Sequence, residues 1–466
     1  MRRLKVYIFA VTTVVSFSGC VVIPPSVPEY NPAELSAPRP LIQELDKVAT
    51  PPEVQGSLGV EDCVQLAFSN RRALSLADRL VATNLARARE IVAEDYPKLT
   101  GGVNWQGRSN DATVSGIGDR TYTSTSVELS VPIYDFGRTS NRVRAQRLLA
   151  DAAGRDAERL RQEVRLAVSQ TYFQVLRALK EKRVIEQSIA VLEEQLRIAR
   201  DYLDQGLVAK NDVLAAEVQL AERRQSLIRA RNDVRVALSR LNRLVGLPVT
   251  HETRLQDVLD VEPWHGSLTA LFKTALEQRA DLAAFQQRVD AAVRTYQSGG
   301  AEYAPDIEAF GRHDYNSDGS LVNQSWSTVG IGISLPFYQG GARDAKLARL
   351  QDEILNAVER RDMHKDDILL DVKDAYLRLA NAREQVPVAG KRIELALENL
   401  EVTRDRYSQG LVTQTDVLAE ENRLISARSD YFSALYGYHQ AVVRLRNVIG
   451  GPLPNSSQMS DKKEKE

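Results

Sequence analysis

The sequence predicts a mainly α-helical protein with a β-barrel portion, built from a duplicated unit of helix, hairpin, long helix and helix. Three observations carry this: two distant stretches repeat at a constant offset, the longest proline-free stretch carries apolar residues in heptads, and one segment of each repeat alternates apolar and polar residues. The 466 residues are 43% hydrophobic and 26% charged, enough apolar material for a large core and against disorder. Lys plus Arg number 61 against 62 Asp plus Glu, a net charge of -1 that gives nucleic-acid binding no support. The absence of an apolar run of about 18 residues excludes a bundle of transmembrane helices but leaves an alternating transmembrane sheet open.

From the start of the chain, Arg2, Arg3 and Lys5 precede a mostly apolar stretch, Val6 to Phe17, too short to span a bilayer. Residues 1–19 read as a secretory signal. The sequence Phe17-Ser18-Gly19-Cys20 resembles a bacterial lipobox, although Phe17 stands where Leu is usual, and makes Cys20 the expected lipidation site. An acyl chain contributes about 0.8 kcal/mol per buried CH2 to membrane association, so several chains tether firmly. Residues 20–60 form a tether: residues 24 to 52 hold eight of the chain's 17 prolines, which forbids helix and favours an extended run. Cys63, the other of two cysteines, is expected to be a buried hydrophobe near a helix start.

The two repeats span 61–248 and 268–452, joined by a connector at 249–267 and followed by a polar tail at 453–466. Gln205-Gly206-Leu207-Val208 recurs as Gln409-Gly410-Leu411-Val412, an offset of 204 that also carries Asp212-Val213-Leu214-Ala215 onto Asp416-Val417-Leu418-Ala419. Upstream the offset is 208, with Ala67 matching Ala275 and Pro97 matching Pro305. The change falls between Pro97 and Pro132, where a surface loop tolerates length change.

No proline occurs from Ile133 to Leu247, and Gly206 is the evident interruption. A helix of roughly 65 residues would be about 100 Å long, beyond any globular core. Its apolar residues, Ile185, Ile189, Leu192, Leu196, Ala199 and Leu203, step alternately by four and three. After the turn, Val213, Leu220, Leu227, Val234 and Leu241 lie seven apart, and so do their counterparts Val417, Leu424, Tyr431, Tyr438 and Leu445. A strict heptad imposes a left-handed supercoil on neighbouring helices. Pro387 and Gly390 stand where the first copy has Arg183 and Glu186, so an interruption and a kink are expected near Pro387 in the second long helix.

Each hairpin, about 97–132 and 305–336, has period two. Leu99, Gly101, Val103 and Trp105 alternate with polar residues, as do Val127, Leu129 and Val131, then Ile307 and Ala309, then Val329, Ile331, Ile333 and Leu335; Phe310 and Trp326 break the pattern. This describes a sheet with oil on one side and water on the other. Four strands cannot close a membrane barrel, and an open edge in lipid leaves backbone groups unsatisfied at several kcal/mol each. Copies must therefore associate: eight strands from a dimer leave room only for side chains, while twelve from a trimer leave a pore.

The lipobox, the duplicated order of elements, the strand lead-ins Tyr96-Pro97 and Ala304-Pro305, the exits Val131-Pro132-Ile133-Tyr134 and Leu335-Pro336-Phe337-Tyr338 with Gly137 and Gly341, and the paired Gly-Leu-Val turns together resemble the TolC-like outer membrane factor family, in its lipoprotein branch. The resemblance covers about residues 60 to 453. It implies a homotrimer with a tunnel of α-helices and one shared twelve-stranded barrel, in the bacterial outer membrane with a periplasmic extension. Such a trimer is the exit duct of a tripartite efflux or secretion system, partnered by a periplasmic adaptor and an inner-membrane transporter. The lipoprotein form leans towards small-molecule efflux.

By that resemblance the turns Gly206, Leu207, Val208 and Gly410, Leu411, Val412 dock the adaptor; as residues alone they are helix-terminating turns. Asp416, three residues after Thr413, suits a helix cap. It also matches the position of a carboxylate ring at the closed end of the tunnel; three facing carboxylates would repel one another and draw cations. Val412 is a candidate apolar constriction, Ala419 replaces a second acidic ring, and Asp212, the first-half counterpart of Asp416, reads as mainly structural. Catalytic residues, cofactors and metals are not expected: His251, His265, His313, His364 and His439 lack metal-ligand spacing, and His251-Glu252 lacks the second His of a zinc protease motif.

Overall fold

In the computed structural model the described residues are 56–70, 72–108, 120–206, 208–260, 264, 266–318 and 323–454. The segment holding Cys20, the turn residue Leu207, the loop at 109–119 and the tail from 455 lie outside them. The helices are α1 (Val60–Asn70), α2 (Arg72–Val92), α3 (Arg138–Asp204), α4 (Lys210–Val245), α5 (Leu268–Gln278), α6 (Ala280–Ala301), α7 (Ala342–Ser408) and α8 (Gln414–Ile449); the strands are β1 (Lys98–Arg108), β2 (Arg120–Tyr134), β3 (Asp306–Asn316) and β4 (Ser325–Ser334).

The repeat is exact in register where the chain is helical. Both α3 and α7 have 67 residues, both α4 and α8 have 36, and each pair begins 204 positions apart. The helix leading into each hairpin is broken in two, as α1–α2 and α5–α6. At the second break Arg279 is extended (ψ 117°), which turns its guanidinium inward onto Asp281 and the Val448 carbonyl. α7 runs uninterrupted through Pro387, contrary to the interruption expected there. Val386 on one side of the proline and Ile393 and Ala396 on the other pack against the two cores of α7 and α8 and hold the helix across one missing N–H.

Heptad residues form the seams. Leu192, Leu196 and Ala199 of α3 bury against Val213, Ala216 and Leu220 of α4, and Leu400 of α7 against Val417 and Leu424 of α8. A larger core joins α1, α3, α4 and α8 around Cys63, Tyr172, Leu241 and Tyr436, and a second joins α5, α7 and α8 around Leu271, Ile368 and Leu445. The connector is tied to the first of these. Leu58 bridges Leu255, the Tyr172 hydroxyl donates to the Gln256 carbonyl at 2.6 Å, and Asp257 accepts from the Tyr436 hydroxyl at 2.8 Å while pairing with Lys180. Cys63 is fully buried, and burial, with the Asp62 charge, pushes its thiol up to about 12.

The four strands form one antiparallel sheet in chain order, with β1 and β4 at its edges. Leu99 pairs with Leu129, Leu129 with Gly311, and Gly311 with Val329. Residues in register share a face, so every odd-numbered position lies on one side, except past the bulge between Pro132 and Tyr134, where Tyr134 pairs with Ile307. Among the described residues no helix is long and apolar enough to cross a membrane.

Candidate functional site

Two places in the structure are candidates for the site: the sheet and the helical tip. On the odd-numbered face Leu99, Val103, Trp105, Val329, Ile331 and Ile333 are all exposed, Val329 at 87%. Among the described residues nothing covers this apolar row. The even-numbered face carries Glu128, Glu308, Arg312 and Asp314, with Arg312 bonded to Asp314 at 2.8 Å and 3.9 Å from Glu128. Phe310 and Trp326 fall on this polar face. For Phe310 the reason is local: its ring lies over Gly330, where an added Cβ would sit 3.0 Å from the ring, so the missing side chain makes room for it. Tyr134, Phe337 and Tyr338 stand exposed at the helix-side end of the sheet, and Trp105 and Tyr315 near the other end. Aromatic residues at both ends of an apolar band mark the two interfaces of a membrane. Strands of 10, 11, 11 and 15 residues are long enough for a tilted strand to cross one.

At the tip, α3 and α7 each end in a glycine in the left-handed region, Gly206 at φ 71° and Gly410 at φ 74°. The Gly206 N–H donates to the Leu203 carbonyl and the Gly410 N–H to the Tyr407 carbonyl, both at 2.9 Å. Another residue there would be strained by about 1–2 kcal/mol. Leu411 is exposed at 64%, while Val208 and Val412 are half-buried. The Asp416 carboxylate accepts from the Thr413 hydroxyl at 2.7 Å and the Thr413 N–H at 2.8 Å, closing a capping box at the start of α8. Those bonds, and then the Arg406 charge, hold the exposed Asp416 carboxyl below the usual carboxylate range. Asp212 occupies the same place in α4, but Ala209 replaces Thr413 and the reciprocal box is absent.

The structure also brings to the tip a residue that sequence reasoning passed over. Tyr407 is packed beside Tyr202, with ring centroids 6.4 Å apart, and its hydroxyl is buried without a hydrogen-bond partner among the described residues. Burial, and then the Asp212 charge, raises its pKa. The signal available was its place three residues before Gly410, but an aromatic there reads equally as core. One turn further up α8, Glu421 is buried between Arg404 and Gln195, and Glu420 accepts from Asn399 at 2.6 Å.

A sheet with one apolar face, one charged face and two open edges, carried on two 67-residue helices, defines one subunit of an outer-membrane channel. The chain belongs to the outer membrane efflux protein family, whose model matches it twice, at residues 63–247 and 271–451. It is 25% identical over 343 residues to the alkaline protease secretion protein AprF of Pseudomonas aeruginosa, covering 71% of each chain. To the outer membrane protein TolC of Escherichia coli it is 23% identical over 395 residues, covering 81% of this chain and 78% of TolC. It is similar in structure to the channel protein CusC, with a TM-score of 0.75 at 20% identity over 86% of this chain and 96% of that one. The resemblance to TolC-like outer membrane factors therefore holds, and the family is one of channel proteins.

Proposed function

We propose that three copies of this chain form the exit duct of a tripartite efflux or secretion system, passing substrate from an inner-membrane transporter and a periplasmic adaptor out across the outer membrane. The observation that carries the reading is the unfinished sheet: an apolar face that only lipid suits, with unpaired backbone at β1 and β4 that lipid cannot satisfy. Twelve strands from three copies close that edge and leave a polar, water-filled interior. Purified protein should have the mass of three copies in detergent and form pores in planar bilayers. A single-copy mass without pore activity would overturn the reading.

The finer parts rest on Cys20 and on the turns and helix starts of the helical tip. Cys20 is the acylated residue of a mature chain beginning at position 20, with 20–60 as tether; Cys20→Ala should abolish incorporation of labelled fatty acid. The turns at Gly206–Val208 and Gly410–Val412 dock the adaptor, and a cysteine at Val412 should cross-link to it. Asp416 lines the closed end of the tunnel, with Val412 as an apolar constriction beside it and Asp212 as a structural partner. Small molecules are the favoured cargo, by the lipobox; AprF, by its name, serves protease secretion. Loss of the gene should raise sensitivity to toxic small compounds and leave the secreted proteins unchanged.

A further inference from the structure

Resting on the three-copy duct, we infer that the barrel wall of each copy carries a luminal binding station for organic ammonium cations, formed by Phe310, Glu308 and the bare backbone at Gly332. The even-numbered face of the sheet looks into the lumen, because the odd-numbered one faces lipid. An aromatic ring on the watery side is what the strand alternation leaves without a use, and Phe310 is only half-buried there.

The ring lies flat on the wall. A Cβ added at Gly330 would meet its Cζ at 3.0 Å, one ε carbon at 3.2 Å and the other at 3.7 Å. Distances so alike place that point under the face of the ring, since an edge-on approach would leave the far ε carbon much more distant. One face of the ring therefore rests on Gly330, and the other is turned to the lumen. Gly332, the next residue on the same side of β4, is not covered in this way. A Cβ there would stand 3.5 Å from the Glu308 Cγ, 3.6 Å from its Oε1 and 3.9 Å from the Phe310 Cε1, all ordinary contact distances. The missing side chain leaves a recess that one methyl group fits, with a carboxylate oxygen on one flank and the aromatic ring on the other.

Charge selects the occupant. Of the four acidic residues on this face of the strands, Asp306 pairs with Arg138 and Asp314 with Arg312, both at 2.8 Å, and Glu128 lies 3.9 Å from Arg312. Glu308 has neither an ion pair nor a hydrogen bond among the described residues. A small inorganic cation answers that charge but makes no use of the ring or the recess. An alkylated ammonium group uses all three: one methyl enters the recess, the charge meets the carboxylate, and the rest of the head overlies the luminal face of Phe310. Trp326, the other breach of the alternation, lacks the second half of such a station, because Asp314, its partner in register, is already held by Arg312. Rotation about one axis sets three stations at a single height around the lumen. Cationic cargo then meets several weak sites in the barrel, which favours entry without trapping.

The test is the current through single trimers of the full-length protein in planar bilayers, in potassium chloride, with benzyltrimethylammonium added on the barrel side. The cation is expected to reduce the current in a saturable way, and benzenesulfonate, of similar size and opposite charge, to leave it unchanged. Gly332→Ala fills the recess at ordinary contact distances, so the pore should assemble and the half-blocking concentration rise. Phe310→Leu should raise it about two- to five-fold, the worth of an exposed cation–π contact. Glu308→Gln should abolish saturation, whereas Glu128→Gln should leave the half-blocking concentration where it was. Open pores blocked equally by both probes, or with the same half-blocking concentration in Gly332→Ala, Phe310→Leu and Glu308→Gln as in the parent, would overturn the station and leave the duct standing. A single-copy mass without pores would overturn both.

Discussion

At the scale of single residues, the chain places charge where its surroundings fix its state. Asp281 is largely buried, and burial alone would raise its carboxyl. The bonds and charge of Arg279, then the charge of Arg159, override this and hold it far below the ordinary range. A carboxyl with a depressed pKa stabilises the fold above the ordinary Asp range, and that contribution is lost as pH falls through the lowered value. Asp281→Asn leaves the Arg279 guanidinium, 4% exposed, with only the more distant Asp371, at 3.7 Å, as counter-charge. It is expected to cost about 3–5 kcal/mol at pH 7, read as a lowered unfolding midpoint, and the mutant should lose less than the parent on acidification. Cys63, with its thiol raised to about 12, should resist thiol reagents in the native protein at pH 8 and react only on unfolding, which mass spectrometry can follow. At the tip the two roles of Asp416 separate by substitution. Asp416→Asn keeps an acceptor for the Thr413 N–H but removes the charge, whereas Thr413→Val removes the hydroxyl and keeps the charge. A carboxylate ring predicts higher single-channel conductance and weaker cation preference for Asp416→Asn and little change for Thr413→Val. Equal effects would leave capping as the whole role.

Elements show the same chain read twice with different amounts of help from local chemistry. α4 and α8 have the same length and register, although only α8 starts with a reciprocal Thr–Asp box, so tertiary packing rather than capping sets where these helices begin. α7 likewise tolerates Pro387 because its seam with α8 runs past it, through Leu400, Val417 and Leu424. Pro387→Ala restores one backbone donor and removes the ring's clash with the preceding turn. It should raise the thermal midpoint of the protein, with up to about 3 kcal/mol available from helix propensity. The strands depend on alternation instead, and Phe310 shows how a breach is absorbed, by a glycine across the ladder rather than by a shift in register.

For the molecule as a whole, the apolar face of the sheet is useful only once lipid covers it and sister copies satisfy its edges. Val329, the most exposed of the large apolar strand residues on that face, is the sensitive position. Val329→Arg near the middle of the band should cost about 2–4 kcal/mol and reduce the fraction of protein recovered as heat-resistant trimers. The substitution Thr328→Arg, one residue away on the polar face, should leave assembly nearly intact.

Much of this architecture was legible in the amino-acid order. A repeat offset of 204 is a statement about chain length between equivalent points, and the paired long helices obey it residue for residue. Heptads and period two are likewise geometric consequences of how side chains leave a helix or a strand, so the seams and the two-faced sheet could be written down beforehand. The uninterrupted course of α7 could not be, because a proline's effect depends on what packs around it. Nor could the break at Arg279, which exists because Asp281 and the Val448 carbonyl lie 2.9 and 3.4 Å from its guanidinium, or the buried hydroxyl of Tyr407. Periodicity states which face of an element is apolar; which neighbour covers that face, and which charges meet there, are decided only when distant segments come together in space.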